Sequence, residues 1–177
     1  MHSIALLVLI AYRFDTPVPP QVLDAAKTET AAILRESGVE LDWWDQDSGG
    51  EIPPASQIYV IRFHGNCSVS PARFGTRGPL GVTHASDGEV LPFIDVDCDQ
   101  IRATAMRNLP KKEPKAEAVL GRALARVASH ELVHAITRSE RHGRRGVAQP
   151  AFSPDDLTTD DFELAPEDLD RVRNSFR

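Results

Sequence analysis

The sequence predicts an α+β fold, a mixed sheet with helices packed on it. Three observations predict it. The opening run "IALLVLIAYRF" is almost wholly apolar, as expected of a strand covered on both faces. Four further strand-like segments follow, the last two joined by a short turn at Asp87-Gly88, so at least one pair is antiparallel. A long amphipathic helix comes after them.

In chain order, the first strand runs from about Ile4 to Phe14. It has no Lys or Arg before it and no small-residue cleavage site after it, so it reads as a buried strand and not as a leader. "DTPVPP" breaks it. A helix is predicted from about Pro20 to Ser37, because Val22, Leu23, Ala26, Thr30, Ile33 and Leu34 recur at spacings of three and four. Pro20 near its start and Gly38 just past its end suit those positions. "VELDWWD" alternates as a second strand, and "IYVIRF" is a third. His64 to Arg77 reads as irregular. "LGVTHAS" and "LPFIDVDC" form the hairpin, and Pro92 predicts that one of these strands lies at an edge or begins there. "NLPKKEPKA" is a charged linker. The long helix spans about Pro114 to Thr137, with Leu120, Leu124, Val127, Ala128, Leu132, Ala135 and Ile136 on one stripe. A loop from Gly143 to Pro154, an acidic stretch and a last short helix, "APEDLDRVR", complete the chain.

Composition narrows the function. With 177 residues, 41% apolar and 26% charged, the chain suits one globular domain. A net charge of −6 argues against nucleic acid as a partner. No apolar run approaches the ~20 residues of a membrane span. Cys67 and Cys98 are too far apart for a CxxC pair. A disulfide between them would favour an exported protein, and two free buried thiols are the other reading.

Chemistry concentrates in "SHELVHAITRSERHG". On a helix His130 and His134 lie one turn apart on one face, so their imidazoles can converge on one ion. Zinc takes imidazole nitrogen, and a catalytic zinc wants three protein ligands and one open position. Glu131 adjoins the first ligand, where a glutamate can act as general base toward water at the metal. A shuffled chain of this composition would show HExxH only about one time in a hundred. A third ligand is expected from His142, brought back by a chain that Gly143 and Gly146 let turn tightly. Glu163 or Glu167 would be the carboxylate alternatives.

At these residues the chain resembles the zincin metallopeptidases, and among them the metzincin-like proteins, whose pattern is HExxHxxGxxH followed by a methionine turn. "HELVHAITRSERH" keeps the first five positions, places Thr137 at the glycine and brings the last histidine two residues later. It is also similar to small bacterial proteins with HExGH, a seven-residue gap and HSxxGLM. Against that pattern Val133 replaces glycine, Gly143 replaces serine, Gly146 is kept, and Ala148 stands where methionine would be. The resemblance implies one zincin-like catalytic domain over 1–177, with the sheet and two main helices in about 1–137 and a C-terminal subdomain carrying the third ligand in 138–177. It implies a zinc-dependent metalloendopeptidase, with His130, His134 and His142 on Zn2+ and Glu131 as base. It further implies a peptide or protein substrate extended along an edge strand, here Gly81 to Ser86, where His84 is a candidate cleft residue. Many metzincins supply an oxyanion-stabilising tyrosine. Tyr12 and Tyr59 lie far upstream in predicted strands, which leaves Arg144 or Arg145 as candidates. The alternatives are a zincin-like metal-binding module without turnover and a zinc hydrolase of a non-peptide substrate.

Two charged stretches read as structure. "DVDCD" fails as an EF-hand loop, with Gln100 and Met106 where glycine and glutamate are required. As a strand it places Asp95, Asp97 and Asp99 on one solvated face. The acidic stretch from Asp155 to Asp170 reads as solvated surface. Arg138, Arg141, Arg144 and Arg145 gather where the long helix ends, as its dipole favours, with a preference for acidic substrates as the sharper reading.

Overall fold

The computed structural model describes residues 6–70, 78–105, 108–110 and 113–176. The expected start of the first strand at Ile4, part of the irregular segment before Gly78, and parts of the charged linker lie outside the described residues. Five strands form one sheet: β1 (Leu6–Phe14), β2 (Val39–Asp45), β3 (Gln57–His64), β4 (Gly81–Ser86) and β5 (Glu89–Asp97). Their order is β2-β1-β3-β5-β4. β1 pairs in parallel with β2 and β3, and β3 with β5, while β4 runs antiparallel along the edge. β1 is an inner strand, paired on both sides, which explains its unbroken apolar run: Val8, Leu9 and Ile10 are fully buried.

Two helices cross in front of the sheet. α1 (Pro20–Arg35) buries Val22, Ala26, Thr30, Ile33 and Leu34, and the chain turns out of it through Gly38 at φ 83°. It ends two residues before the expected Ser37. The long helix, α3 (Glu113–Thr137), lies against α1 at Gly121. A Cβ there would overlap the Val22 carbonyl oxygen and come within 2.7 Å of Ala25 Cβ, so only glycine permits the crossing. Leu120, Leu124, Val127, Ala128 and Leu132 of α3 join Ile61, Phe63, Ile94 and Val96 of the sheet in the core. Each fully buried side chain of this kind contributes roughly 1.5–3 kcal/mol.

One helix departs from the sequence reading. α2 (Cys98–Ala105) starts directly after β5, so the strand stops at Asp97 and the three aspartates do not share a solvated face. Asp95 accepts hydrogen bonds from His64 and His84, each at 2.7 Å. Asp97 Oδ1 accepts the Gln100 N–H at 2.9 Å, capping α2, and Asp99 pairs with the buried Arg102. An acidic residue followed three positions later by Gln is a helix-start signature, present in "DCDQ". One of the two hairpin strands does lie at the edge, as Pro92 predicts, but it is β4, and Pro92 itself sits in the inner strand β5. It is tolerated because the β3 pairing begins only at Phe93 and the register against β4 shifts between Thr83 and Ala85. Cys67 and Cys98, both fully buried, are joined in a disulfide that ties the segment after β3 to the start of α2.

The C-terminal segment docks through Arg126 of α3, which is fully buried. It binds Glu29 of α1 at 2.8 Å, the Asp156 carbonyl at 2.8 Å and the Thr159 carbonyl at 2.7 Å, and stands 5.2 Å from the Phe162 ring. α4 (Pro154–Thr158) opens with a capping box between Ser153 and Asp156, and α5 (Pro166–Asn174) follows. The acidic stretch is mostly exposed, as expected, with Asp155 accepting from Asn108 and Asp160 pairing with Arg122 at the surface, while Asp168 is the exception, buried against Arg171.

Candidate metal centre

The last two turns of α3 carry His130 and His134, and the way the helix ends aims the second of them. Arg138 adopts the left-handed conformation (φ 47°), and the chain closes in a Schellman arrangement. The Ser139 N–H reaches the His134 carbonyl at 3.1 Å and the Arg138 N–H reaches the Ala135 carbonyl at 3.4 Å. The Ser139 carbonyl then faces back and accepts the His134 Nδ1–H at 2.7 Å. His130 Nδ1–H donates in the same way to the Val147 carbonyl at 2.8 Å. A carbonyl only accepts, so both rings carry their proton on Nδ1 and turn a bare Nε2 to the centre.

These two Nε2 atoms are 3.0 Å apart. Two facing lone pairs repel unless a proton or a cation lies between them. Burial pushes His130 down to about 4, with His134 and His142 adding to the effect against the Val147 hydrogen bond, so at neutral pH the proton is disfavoured. A cation satisfies the pair, and the separation is close to the roughly 3.3 Å that tetrahedral ligation at about 2 Å imposes. His142 returns on the chain beyond α3, its ring centroid 5.2 Å from that of His130 and 4.8 Å from that of His134. The ligating atoms of all three lie within 4.8 Å of one another. The donor set fits a metal ion. Glu163 and Glu167 are not part of the cluster. Glu163 contributes only its carbonyl, to the Val147 N–H at 3.0 Å.

Glu131 lines the same cleft and is packed by the edge strand. Thr83 Oγ1 lies 2.7 Å from Glu131 Oε2 and 2.9 Å from the Glu131 carbonyl, and its single proton serves one of them at a time. Burial raises the Glu131 carboxyl above its ordinary range, opposed by the Thr83 hydrogen bond and the charge of His134. Gly81 lets β4 come this close, because a Cβ there would lie 2.8 Å from Val127 Cγ1 and 2.9 Å from Glu131 Cγ. The cleft encloses 520 Å³. Leu80, Val82 and Thr83 form one side, and Pro150, Ala151 and Phe152 another. The Phe152 ring stands edge-on 5.5 Å from His130.

Archaemetzincin from Methanopyrus kandleri is similar to this chain in structure, with a TM-score of 0.52 over 96% of this chain and 94% of that one at 12% identity. The fold is metzincin-like. No protein-family model and no curated protein matches the chain. At that identity the likeness speaks for the metzincin-like fold, and the roles of individual residues rest on the geometry above.

Other sequence candidates fall elsewhere. His84 points away from Thr83 and bonds to Asp95, and it does not line the cleft. Arg144 and Arg145 are exposed and do not line it either. Tyr12 and Tyr59 are buried in β1 and β3. Ala148, at the methionine position, is buried and accepts the Gly143 N–H through its carbonyl at 2.7 Å. Sequence reasoning missed Gly81 and Thr83, whose approach to Glu131 depends on the hairpin register, and the two carbonyls that orient the histidines, which leave no trace in side-chain type. No helix among the described residues is long and apolar enough to cross a membrane.

Proposed function

We propose that this protein is a zinc-dependent metalloendopeptidase. The observation that carries the reading is the convergence of two carbonyl-oriented imidazoles and a third from the returning chain, with a buried glutamate facing the same cleft. His130, His134 and His142 would hold the metal. When bound, zinc acidifies a water and polarises a carbonyl. Glu131, its basicity raised by burial and its carboxylate kept in place by Thr83, takes a proton from the attacking water and gives it to the leaving amine nitrogen. Gly81 to Ser86 of β4 offers an unpaired strand edge beside Glu131, on which an extended peptide can add as a further strand. Leu80, Val127 and Phe152 give the cleft apolar walls beside the reacting groups.

The test is Glu131→Gln. It should keep stoichiometric zinc and lose hydrolysis of an unfolded protein substrate, and cleavage at the wild-type rate would refute the mechanism. One observation favours a second reading, a metal-holding module without turnover: among the described residues, those lining the cleft include neither tyrosine nor arginine to steady an oxyanion. Stoichiometric zinc in the wild type with no cleavage of peptides would select it, and cleavage confined to non-peptide esters or amides would select a zinc hydrolase of another substrate.

A further inference from the structure

We infer that the Asp168–Arg171 pair of α5 is a positioning device for His142, and that it sets the affinity of the three-histidine site for metal. The inference rests on His142 being the third ligand, as proposed above.

The three imidazoles are not held alike. His130 and His134 sit on a rigid helix with their rings fixed by carbonyls. His142 lies on an exposed return segment, and among the described residues its ring makes no hydrogen bond. What fixes it acts on its two neighbours. Arg171 Nη2 donates to the Arg141 carbonyl at 3.1 Å. Asp168 presses its carboxylate against the Cα of Gly143, where any Cβ would overlap Asp168 Oδ2. Asp168 Oδ1 and Arg171 Nη1 are themselves joined at 2.8 Å. One ion pair thus grips the residue before His142 with its cation and the residue after it with its anion. The Gly143 N–H to Ala148 carbonyl bond closes the segment from the other side.

Asp168 has a second feature that pairing with Arg171 does not explain. It is 1% exposed, and its Oδ2 has no hydrogen-bond partner among the described residues. A buried carboxylate oxygen left unpaired is costly, so its retention calls for a role. It is an acceptor set against Gly143, the residue next to the one ligand whose ring makes no hydrogen bond among the described residues, and groups that hold ligating histidines in place commonly tune metal affinity by 10–100-fold. Gly143 is therefore required by the close approach of Asp168, while the left-handed turn of the returning chain falls at Gly146.

The test is zinc affinity of the full chain, read by competition with a chromophoric chelator. Asp168→Asn and Arg171→Gln should each weaken zinc binding by about 10–100-fold. Asp170→Asn, on the same helix but paired with Arg173 at the surface, should leave it unchanged. A merely structural role is separated by repeating Asp168→Asn on a His142→Ala background: once the ligand is gone, loss of its support should cost nothing more. Should Asp168→Asn not fold, Arg171→Gln, on a partly exposed side chain, carries the same comparison. Wild-type affinity in both variants, or the same fold-loss with and without His142, would overturn the inference while leaving the metal site intact. Failure of the wild type itself to bind zinc would overturn the metal reading and this inference with it.

Discussion

Removing metal from this protein should make its fold sensitive to mild acid. In the metal-free chain burial holds His130 at about 4, against an ordinary 6.5. The folded value lies below the unfolded one, so between about 6.5 and about 4 the unfolded chain binds the proton and the folded chain does not. Stability therefore falls as the pH falls through that window, and the contribution is fully present above it. At 1.36 kcal/mol per pH unit the gap amounts to about 3 kcal/mol, with a slope no steeper than ~1.4 kcal/mol per unit. Glu131 works the other way: burial raises its folded pKa, so its protonation in acid relieves the folded state. The comparison that isolates the histidine is urea unfolding of chelator-treated wild type against His130→Asn, followed by circular dichroism from pH 7 to pH 4. The variant should lose less stability than wild type over that range, by about 3 kcal/mol at the acid end. Parallel curves would show that the buried imidazole is not what couples this fold to protons.

Other outcomes are open to direct measurement. Arg138→Gly should stabilise, since glycine removes the left-handed penalty of about 1 kcal/mol at the α3 terminus, and the melting temperature should rise by about 2–4 °C. Gly81→Ala should displace Glu131, costing about 1–3 kcal/mol on denaturation while zinc content stays stoichiometric and peptidase turnover falls. Burial pushes Asp15 and Asp95 up, but the Arg62 hydrogen bond on Asp15 and the His64 and His84 hydrogen bonds on Asp95 outweigh it, so both carboxyls lie below their ordinary 3.8. Their contribution is present above that value and lost as the pH falls below it, so Asp95→Asn should destabilise at neutral pH and flatten the acid limb of a stability profile measured in 0.1 M salt.

Much of this architecture is legible where one side-chain pattern meets one partner surface. The unbroken apolar run of β1, the stripe from Leu120 to Ile136 and the pair His130 and His134 each follow from local periodicity. The proximity of His142 is readable because glycines follow it, although only Gly146 serves the left-handed turn and nothing in the neighbourhood of His142 names α5 as the support. α2 hides behind a strand pattern: "FIDVDC" alternates until Asp97, and the helix that begins one residue later shows only as the Asp97–Gln100 cap. Asp168 reads as one acid among several, because burial at Gly143 is fixed by a helix packing that the sequence does not spell out. Pro92 announces an edge in the hairpin without saying which strand holds it, since the register shift that accommodates it belongs to the pairing of two strands and to neither alone.

The two groups that aim His130 and His134 are peptide oxygens, contributed by Val147 and Ser139. No point substitution deletes a peptide oxygen. Residues 139 and 147 are thus at liberty to drift in side-chain identity so long as the chain keeps its path, and loss of ring alignment would have to come from rerouting the backbone, by proline, insertion or deletion. Relatives that share this centre need share little of its spelling.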